Sequence, residues 1–332
     1  MAEISVPTYI DQWISVIENM KNENTYKLAW GRALVECVFH DRYEKDIFGQ
    51  YLVSLSSIAE CMLRYYWNQT FFFHLRQSPI RKDQRIASIV RITEELIEKY
   101  KDKTKSSIPV WFDRVQLELD VKDYQDAIKK IAHVLPNDVS WRFKRVNNEF
   151  LPIYEYDETQ RSSYVIFKEE EVKYIKSYAI VLSKLLNYKW AQLLERFNYS
   201  PNIVKKVNSI SETNIPRNSS AIHQIRNELL KQFQGGDPID FYSGEILQPE
   251  EISLDHVIPW SFMYSDDIWN LVLTSRSINS SKSNSIPSQQ TIDRLKVRND
   301  QIVDLLDDKY KIEMEAAIQN HFVDKYFFES RI

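Results

Sequence analysis

The chain has 332 residues, 43% hydrophobic and 27% charged, the balance of a folded protein with length for two or three domains. Five glycines and 11 prolines exclude collagen-like and glycine-rich disordered chains, and two cysteines, Cys37 and Cys61, cannot build a disulfide framework or a four-cysteine zinc site. A formal net charge of −4 excludes a polycation, so a polyanionic partner needs local basic patches. With no basic-then-apolar leader and no apolar run of the roughly 20 residues that cross a bilayer, the expected location is the cytoplasm, without a membrane partner.

The first two thirds read as helical. Thr8 and Asp11 form a capping-box-like start, followed by Ile10, Trp13, Ile14, Ile17 and Met20 on one face. Further helices are expected from Thr25 to Phe39 and from Asp46 to Trp67. The stripe Ile86, Ile89, Val90, Thr93, Leu96, Ile97, Tyr100 has the period of a helix. The charged segment Lys99 to Ser107 reads as a linker, and a helix from Asp123 to Val134 is expected to end at Pro136. Alternation then suggests a hairpin of Ile153–Tyr156 with Ser163–Phe167 across the polar run 157–161. A long helix from Glu169 to Phe197 follows, then a linker over Ser209–Ser220, a short helix from Ala221 to Gln232, and a boundary at Gly235-Gly236-Asp237-Pro238.

Residues 240–288 have a different character. Phe241-Tyr242-Ser243-Gly244-Glu245-Ile246-Leu247 reads as a turn or short hairpin, and Ile252 to Ile258 as a strand stopped by Pro259. Trp269 to Thr274 reads as a second strand, and Arg276 to Asn284 as a polar helical turn. Asp255-His256 on one strand, Asn270 before the next, and Asn279 with Lys282 on the helix form a constellation. An Asp-His pair alone is commonplace; the set in register is not. Phosphodiester hydrolysis needs a water, a base for its proton and a cation on the phosphate oxygens. His256 has the titration range of a base, and Asp255 and the Asn279 amide oxygen are hard ligands suited to Mg²⁺. Neighbours on a strand point to opposite faces, so Asp255 and His256 share a site only if the strand ends there.

These residues resemble the HNH, or ββα-metal, nuclease motif. Leu-Asp-His-Val-Ile-Pro-Trp-Ser-Phe, Trp-Asn-Leu-Val-Leu-Thr and Ile-Asn-Ser-Ser-Lys-Ser-Asn are most similar to the HNH module of RNA-guided CRISPR effector nucleases, over about 50 residues. The resemblance implies His256 as general base, Asp255 and Asn279 as metal ligands, Asn270 ordering the loop that bears His256, and Lys282 near a phosphate. It implies Mg²⁺ or Mn²⁺ as cofactor, DNA as substrate, and products with 5′ phosphate and 3′ hydroxyl ends. Many HNH proteins hold a structural zinc on two Cys-x-x-Cys pairs; here Asp240, Ser243, Ser275 and Ile278 stand at those positions, so no structural zinc is expected. Ser277 stands where the CRISPR enzymes carry a third, carboxylate ligand. The helical two thirds resembles regions of bacterial HNH proteins in anti-phage defence loci, which implies a role in restriction or phage defence, with or without a partner protein.

The segment from Asp237 to Ile292 carries eight acidic residues against Arg276 and Lys282, so phosphate contacts are expected elsewhere. The candidates are Arg76, Arg81, Lys82 and Arg85, then Arg142, Lys144 and Arg145 beside Trp141 and Phe143, although such runs are more often solvated surface. His40, His74, His133, His223 and His321 lack partners at ligand spacing, and Cys37 and Cys61 read as buried thiols. The expected architecture is α+β: a helical domain over 1–136, a hairpin and long helix over 137–236, and an HNH nuclease module with closing helices over 237–332. Two alternatives stay open: an HNH remnant that binds without cutting, as Ser277 suggests, and an RNase of the same fold.

Overall fold

The apolar stripes at the start of the chain fold as α1 (Val6–Asn19) and α2 (Tyr26–Phe39) in the computed structural model, which describes residues 6–79, 87–156, 163–209 and 219–331. The chain divides into two compact units. One comprises Met1–Ser106, Val110–Asn198 and Ile203–Asn208, the other Ser107–Pro109, Tyr199–Asn202 and Ser209–Ile332.

The first unit adds β1 (Glu44–Lys45), β2 (Tyr51–Ser54), α3 (Leu55–Trp67), α4 (Ser88–Thr104), α5 (Phe112–Val115), α6 (Val121–Asp138), β3 (Arg145–Val146), β4 (Glu149–Phe150), β5 (Tyr164–Phe167), α7 (Glu169–Glu195) and α8 (Ile203–Asn208). The 27-residue α7 is the spine, with Ile175, Leu182, Leu186 and Trp190 buried. It packs against α1 and α2. Gly31 on α2 permits this approach: a Cβ there would lie 2.6 Å from the Phe143 ring and 2.9 Å from Leu186, closer than atoms tolerate. Two buried indoles find acceptors, Trp30 donating to Tyr154 Oη at 3.2 Å and Trp190 to Gln77 Oε1 at 3.2 Å.

Four expectations change here. The helix expected from Asp46 starts at Leu55, because the Asp46 carboxylate accepts from Phe48 and Gln50 N–H (2.9 and 2.8 Å) and Gly49 takes φ +81°, closing a turn into β2. Ser54 then caps α3 by accepting from Ser57 N–H. The supposed linker from Lys99 is the last part of α4, whose charged residues form the solvent face while Tyr100 stays buried. Helix α6 runs past Pro136 to Asp138; a proline in the last turn removes one N–H without stopping the helix. Strand β5 pairs with β2 in the sheet β1-β2-β5, and its link to Ile153–Tyr156 is the single bridge Glu155↔Ile166. A strand partner over a hundred residues away leaves no mark in local alternation. The run 157–161 and most of the 209–220 linker lie outside the described residues.

The second unit contains α9 (Ser219–Leu230), β6 (Ile252–His256), α10 (Trp260–Met263), β7 (Leu271–Ser275), α11 (Arg276–Lys282), α12 (Gln289–Ile302), α13 (Asp308–Gln319) and α14 (Phe322–Ser330). Strands β6 and β7 are antiparallel, with Asp255 opposite Val272 and His256 opposite Leu271. The expected first strand therefore ends at His256, before the Val257–Pro259 turn. Leu229, Val257, Ile258, Phe262, Leu295 and Met314 lie in its core. Among the described residues no helix is long and apolar enough to cross a membrane. The whole is α+β, mostly helical, with small sheets.

Candidate active site

The site is built around the end of β6. Asp255 is 4% exposed. Its Oδ2 accepts from the Tyr242 hydroxyl at 2.5 Å and lies 3.1 Å from Lys282 Nζ. Lys282 also donates to the His256 carbonyl at 2.7 Å, so one ammonium ties α11 to both residues of the Asp-His pair. Burial lowers the Lys282 pKa, with Asp255 pulling against it. Burial, reinforced by Asp255, pushes the Tyr242 phenol far above its usual range, which keeps it a neutral donor.

Asn279 lies on the same helix. Ser275 caps α11 by accepting from Ile278 N–H at 3.3 Å. Asn279 Nδ2 then donates to Ser253 Oγ (2.8 Å) and the Leu254 carbonyl (2.9 Å), which anchors the amide beside Asp255. Among the described residues Asn279 Oδ1 and Asp255 Oδ1 accept no hydrogen bond. No group of three or more His, Cys, Asp or Glu residues that could hold a metal ion occurs among the described residues. Two uncommitted hard oxygens on neighbouring elements are donors of the kind that a hydrated, hard divalent cation takes, one or two from the protein and the rest from water.

The His256 ring is held from the other side. Nε2 lies 2.9 Å from Asp266 Oδ1, in the loop after α10. That loop is fixed by Asn270, fully buried, which accepts from Ile258 N–H at 2.8 Å and donates to the Ile258 carbonyl at 2.9 Å. The closing helices brace it further: Asn299 Nδ2 donates to the Trp269 carbonyl at 2.9 Å, and Glu313 Oε1 accepts from Ile268 N–H at 2.9 Å.

A second knot lies at Asp240, one of the positions where the sequence resemblance led to no structural zinc being expected. Asp240 is 2% exposed. Its Oδ1 accepts from Tyr242 N–H (2.8 Å) and Ser243 N–H (3.1 Å), its Oδ2 from Thr274 Oγ1 (2.9 Å) and Ser275 N–H (2.7 Å). One carboxylate thus joins the 240–243 turn to the end of β7. The turn closes at Gly244, whose φ of +76° favours glycine. Ser277, at the position of the third carboxylate, hydrogen-bonds Ser275 Oγ at 3.0 Å.

Comparison with known proteins places these features. Residues 240–288 match the family described as HNH endonuclease, so the segment carries an HNH-family motif. Residues 9–210 match the family described as Domain of unknown function (DUF8808). The chain belongs to that DUF8808 family. It is also similar, at 34% identity over 76 residues, to the CRISPR-associated endonuclease Cas9 of Streptococcus mutans. That likeness covers 22% of this chain and 6% of the relative, so the chain spans only a small part of the relative's length. No solved structure matches.

The structure gathers Asp255, His256, Asn270, Asn279 and Lys282, the residues expected from the sequence, around the end of β6, and adds Tyr242, Asp266 and Asp240, to which the sequence reading assigned no role. Asp266 was legible only as acidic composition and Asp240 only as the residue at a zinc-cysteine position, because each acts through a partner on another segment. The basic candidates lie in the DUF8808 region. Arg76 is half-buried, donating to the Phe197 carbonyl at 3.4 Å, and Arg81, Lys82 and Arg85 lie outside the described residues. Arg142 and Arg145 are exposed, their guanidinium groups over Trp141 (5.0 Å) and Phe150 (5.9 Å). Lys144 turns inward to the Tyr154 carbonyl at 3.4 Å.

Proposed function

We propose that the protein is a divalent-metal-dependent HNH endonuclease that hydrolyses phosphodiester bonds in DNA and serves in restriction or phage defence, with the ββα-metal module formed by β6, β7 and α11. The observation that carries this reading is the His256–Asp266 contact beside a buried Asp255. An ionised carboxylate can only accept a hydrogen bond, so the Nε2 proton sits towards Asp266 and the lone pair of the neutral ring is on Nδ1. His256 then takes the proton of the attacking water, as a base oriented by a third group. Asp255 and Asn279 supply the oxygens that hold the metal, and Lys282 fixes the Asp255 carboxylate and adds positive charge near the phosphate. When bound, the cation stabilises the charge that develops on the phosphate and the leaving oxygen. Asn270 keeps the His256 loop in place, and Mg²⁺ or Mn²⁺ is the cofactor.

Nicking of supercoiled plasmid across a Mg²⁺ titration, with labelled RNA in parallel, tests this reading. Metal-dependent nicking of DNA is expected. Preferential RNA cleavage would make the protein an RNase. The absence of cleavage on either substrate would favour a binding-only remnant, a reading that the Lys282 ammonium on the proposed ligand Asp255 and Ser277 at the carboxylate position both motivate.

A further inference from the structure

Arg298 on α12 has no task in the reaction proposed above. The residue is 8% exposed, and its Nη2 donates to the Leu271 carbonyl at 2.7 Å. Its Nε and Nη1 are buried and find no partner among the described residues. An arginine is charged under ordinary conditions, and burying an unpaired charge is costly. Desolvation pushes this guanidinium down to about 9. Asp240 lines the same cavity, but its oxygens accept the four hydrogen bonds described above and none of them comes from Arg298.

Arg298 lines a cavity of ≈240 Å³ together with Asp240 and the apolar side chains of Phe233, Phe241, Val272 and Leu273. Largely apolar walls with a few polar groups, here Gln232, Asp240 and Arg298, are the general form of a small-molecule site. We propose that this cavity binds a small monoanionic organic acid, with its carboxylate on the Arg298 guanidinium and its apolar body against Phe233, Phe241 and Leu273. A guanidinium and a carboxylate match in geometry and charge. A phosphate dianion fits less well, since only one cation lines the cavity and Asp240 is beside it. The site adjoins the catalytic strand pair: Arg298 holds the carbonyl of Leu271, and Leu271 is the register partner of His256. An occupant therefore fixes the strand position opposite the proposed base.

Titration calorimetry and thermal unfolding of the full chain with hexanoate, hexanamide and inorganic phosphate test the proposal. Hexanoate is expected to bind and raise the melting temperature, with hexanamide and phosphate at least about tenfold weaker, the ratio that 1.4 kcal/mol represents. Arg298→Met is expected to lose the hexanoate response. Should that variant fail to fold, Ile239→Trp serves instead: Ile239 lines the same cavity and is 45% exposed, so a larger ring there narrows the cavity with Arg298 itself unchanged and is expected to weaken hexanoate. Failure of hexanoate to bind, equal binding of hexanoate and hexanamide, preference for phosphate, or an undiminished response in either variant would overturn the assignment. The readout is binding, so it stands or falls separately from nuclease activity.

Discussion

His256 and Asp266 lie ten residues apart and meet at 2.9 Å, Nε2 to Oδ1. This contact sets which ring nitrogen is left to take a proton. His256→Ala is therefore expected to lower the cleavage rate by roughly 10²–10⁴-fold. Folding and DNA affinity should stay near those of the unchanged protein. Retained cleavage within tenfold, measured by plasmid nicking, would remove His256 from the mechanism.

Asp266→Ala separates orientation from proton transfer. Asp266 meets the ring at Nε2, the nitrogen not proposed to take the proton, so its loss is expected to lower kcat by roughly 10–10³-fold while leaving KM nearly unchanged. A merely structural residue would instead lower the melting temperature and leave the kcat of the folded fraction intact. Measuring both quantities on one preparation decides between them.

The contrast between His256 and Asp266 also shows what the sequence could tell. Asp255, His256, Asn270, Asn279 and Lys282 were legible because the strand-turn-helix connection is local and the residue types are tied to one chemistry. Asp266 was not, because its role depends on how the loop after α10 folds back onto β6. The same holds for the fold. The stripe on α4 and the long α7 were readable from a 3.6-residue period, whereas the β2–β5 pairing and the turn at Asp46 depend on partners that periodicity does not specify. The charged end of α4 was misread because a solvent-facing helix surface has the composition of a linker.

Asp240 predicts a stability effect. Asp240→Ala leaves the Tyr242, Ser243 and Ser275 N–H groups and the Thr274 hydroxyl without their acceptor. Two of these anchor the turn that carries Tyr242 to Asp255. A loss of about 2–4 kcal/mol in urea unfolding is expected, from several hydrogen bonds worth about 1 kcal/mol each. A loss below about 0.5 kcal/mol would mean that the backbone bond from Phe241 N–H to the Leu273 carbonyl (3.0 Å) suffices to hold the turn.

The donor chemistry gives a metal prediction. Cleavage is expected to require Mg²⁺ or Mn²⁺, to stop with a general chelator, and to survive a zinc-selective one. Melting of the second unit should be insensitive to zinc removal, because Asp240 provides the cross-link at the positions where cysteines would hold zinc. A drop in melting temperature on zinc-selective chelation, read by calorimetry, would contradict this.

The last prediction concerns where DNA is held. The HNH segment is acidic, so the phosphate contacts are assigned by hypothesis to the DUF8808 region. Arg142 and Arg145 are exposed beside aromatic rings, while Lys144 is turned towards the Tyr154 carbonyl. Each phosphate neutralised releases counterions and contributes roughly 0.9 to the slope of log affinity against log salt. The double variant Arg142→Ala with Arg145→Ala is expected to weaken DNA binding about equally across sequences and to reduce that slope by roughly 2. Lys144→Ala should leave the slope unchanged. A combined Arg76, Arg81, Lys82 and Arg85 variant tests the other cluster in the same assay. Titration of full-length protein against one duplex at two salt concentrations reads all three. An unchanged slope in both arginine variants would show that both clusters are ordinary solvated surface and that the grip on DNA comes from the HNH unit itself.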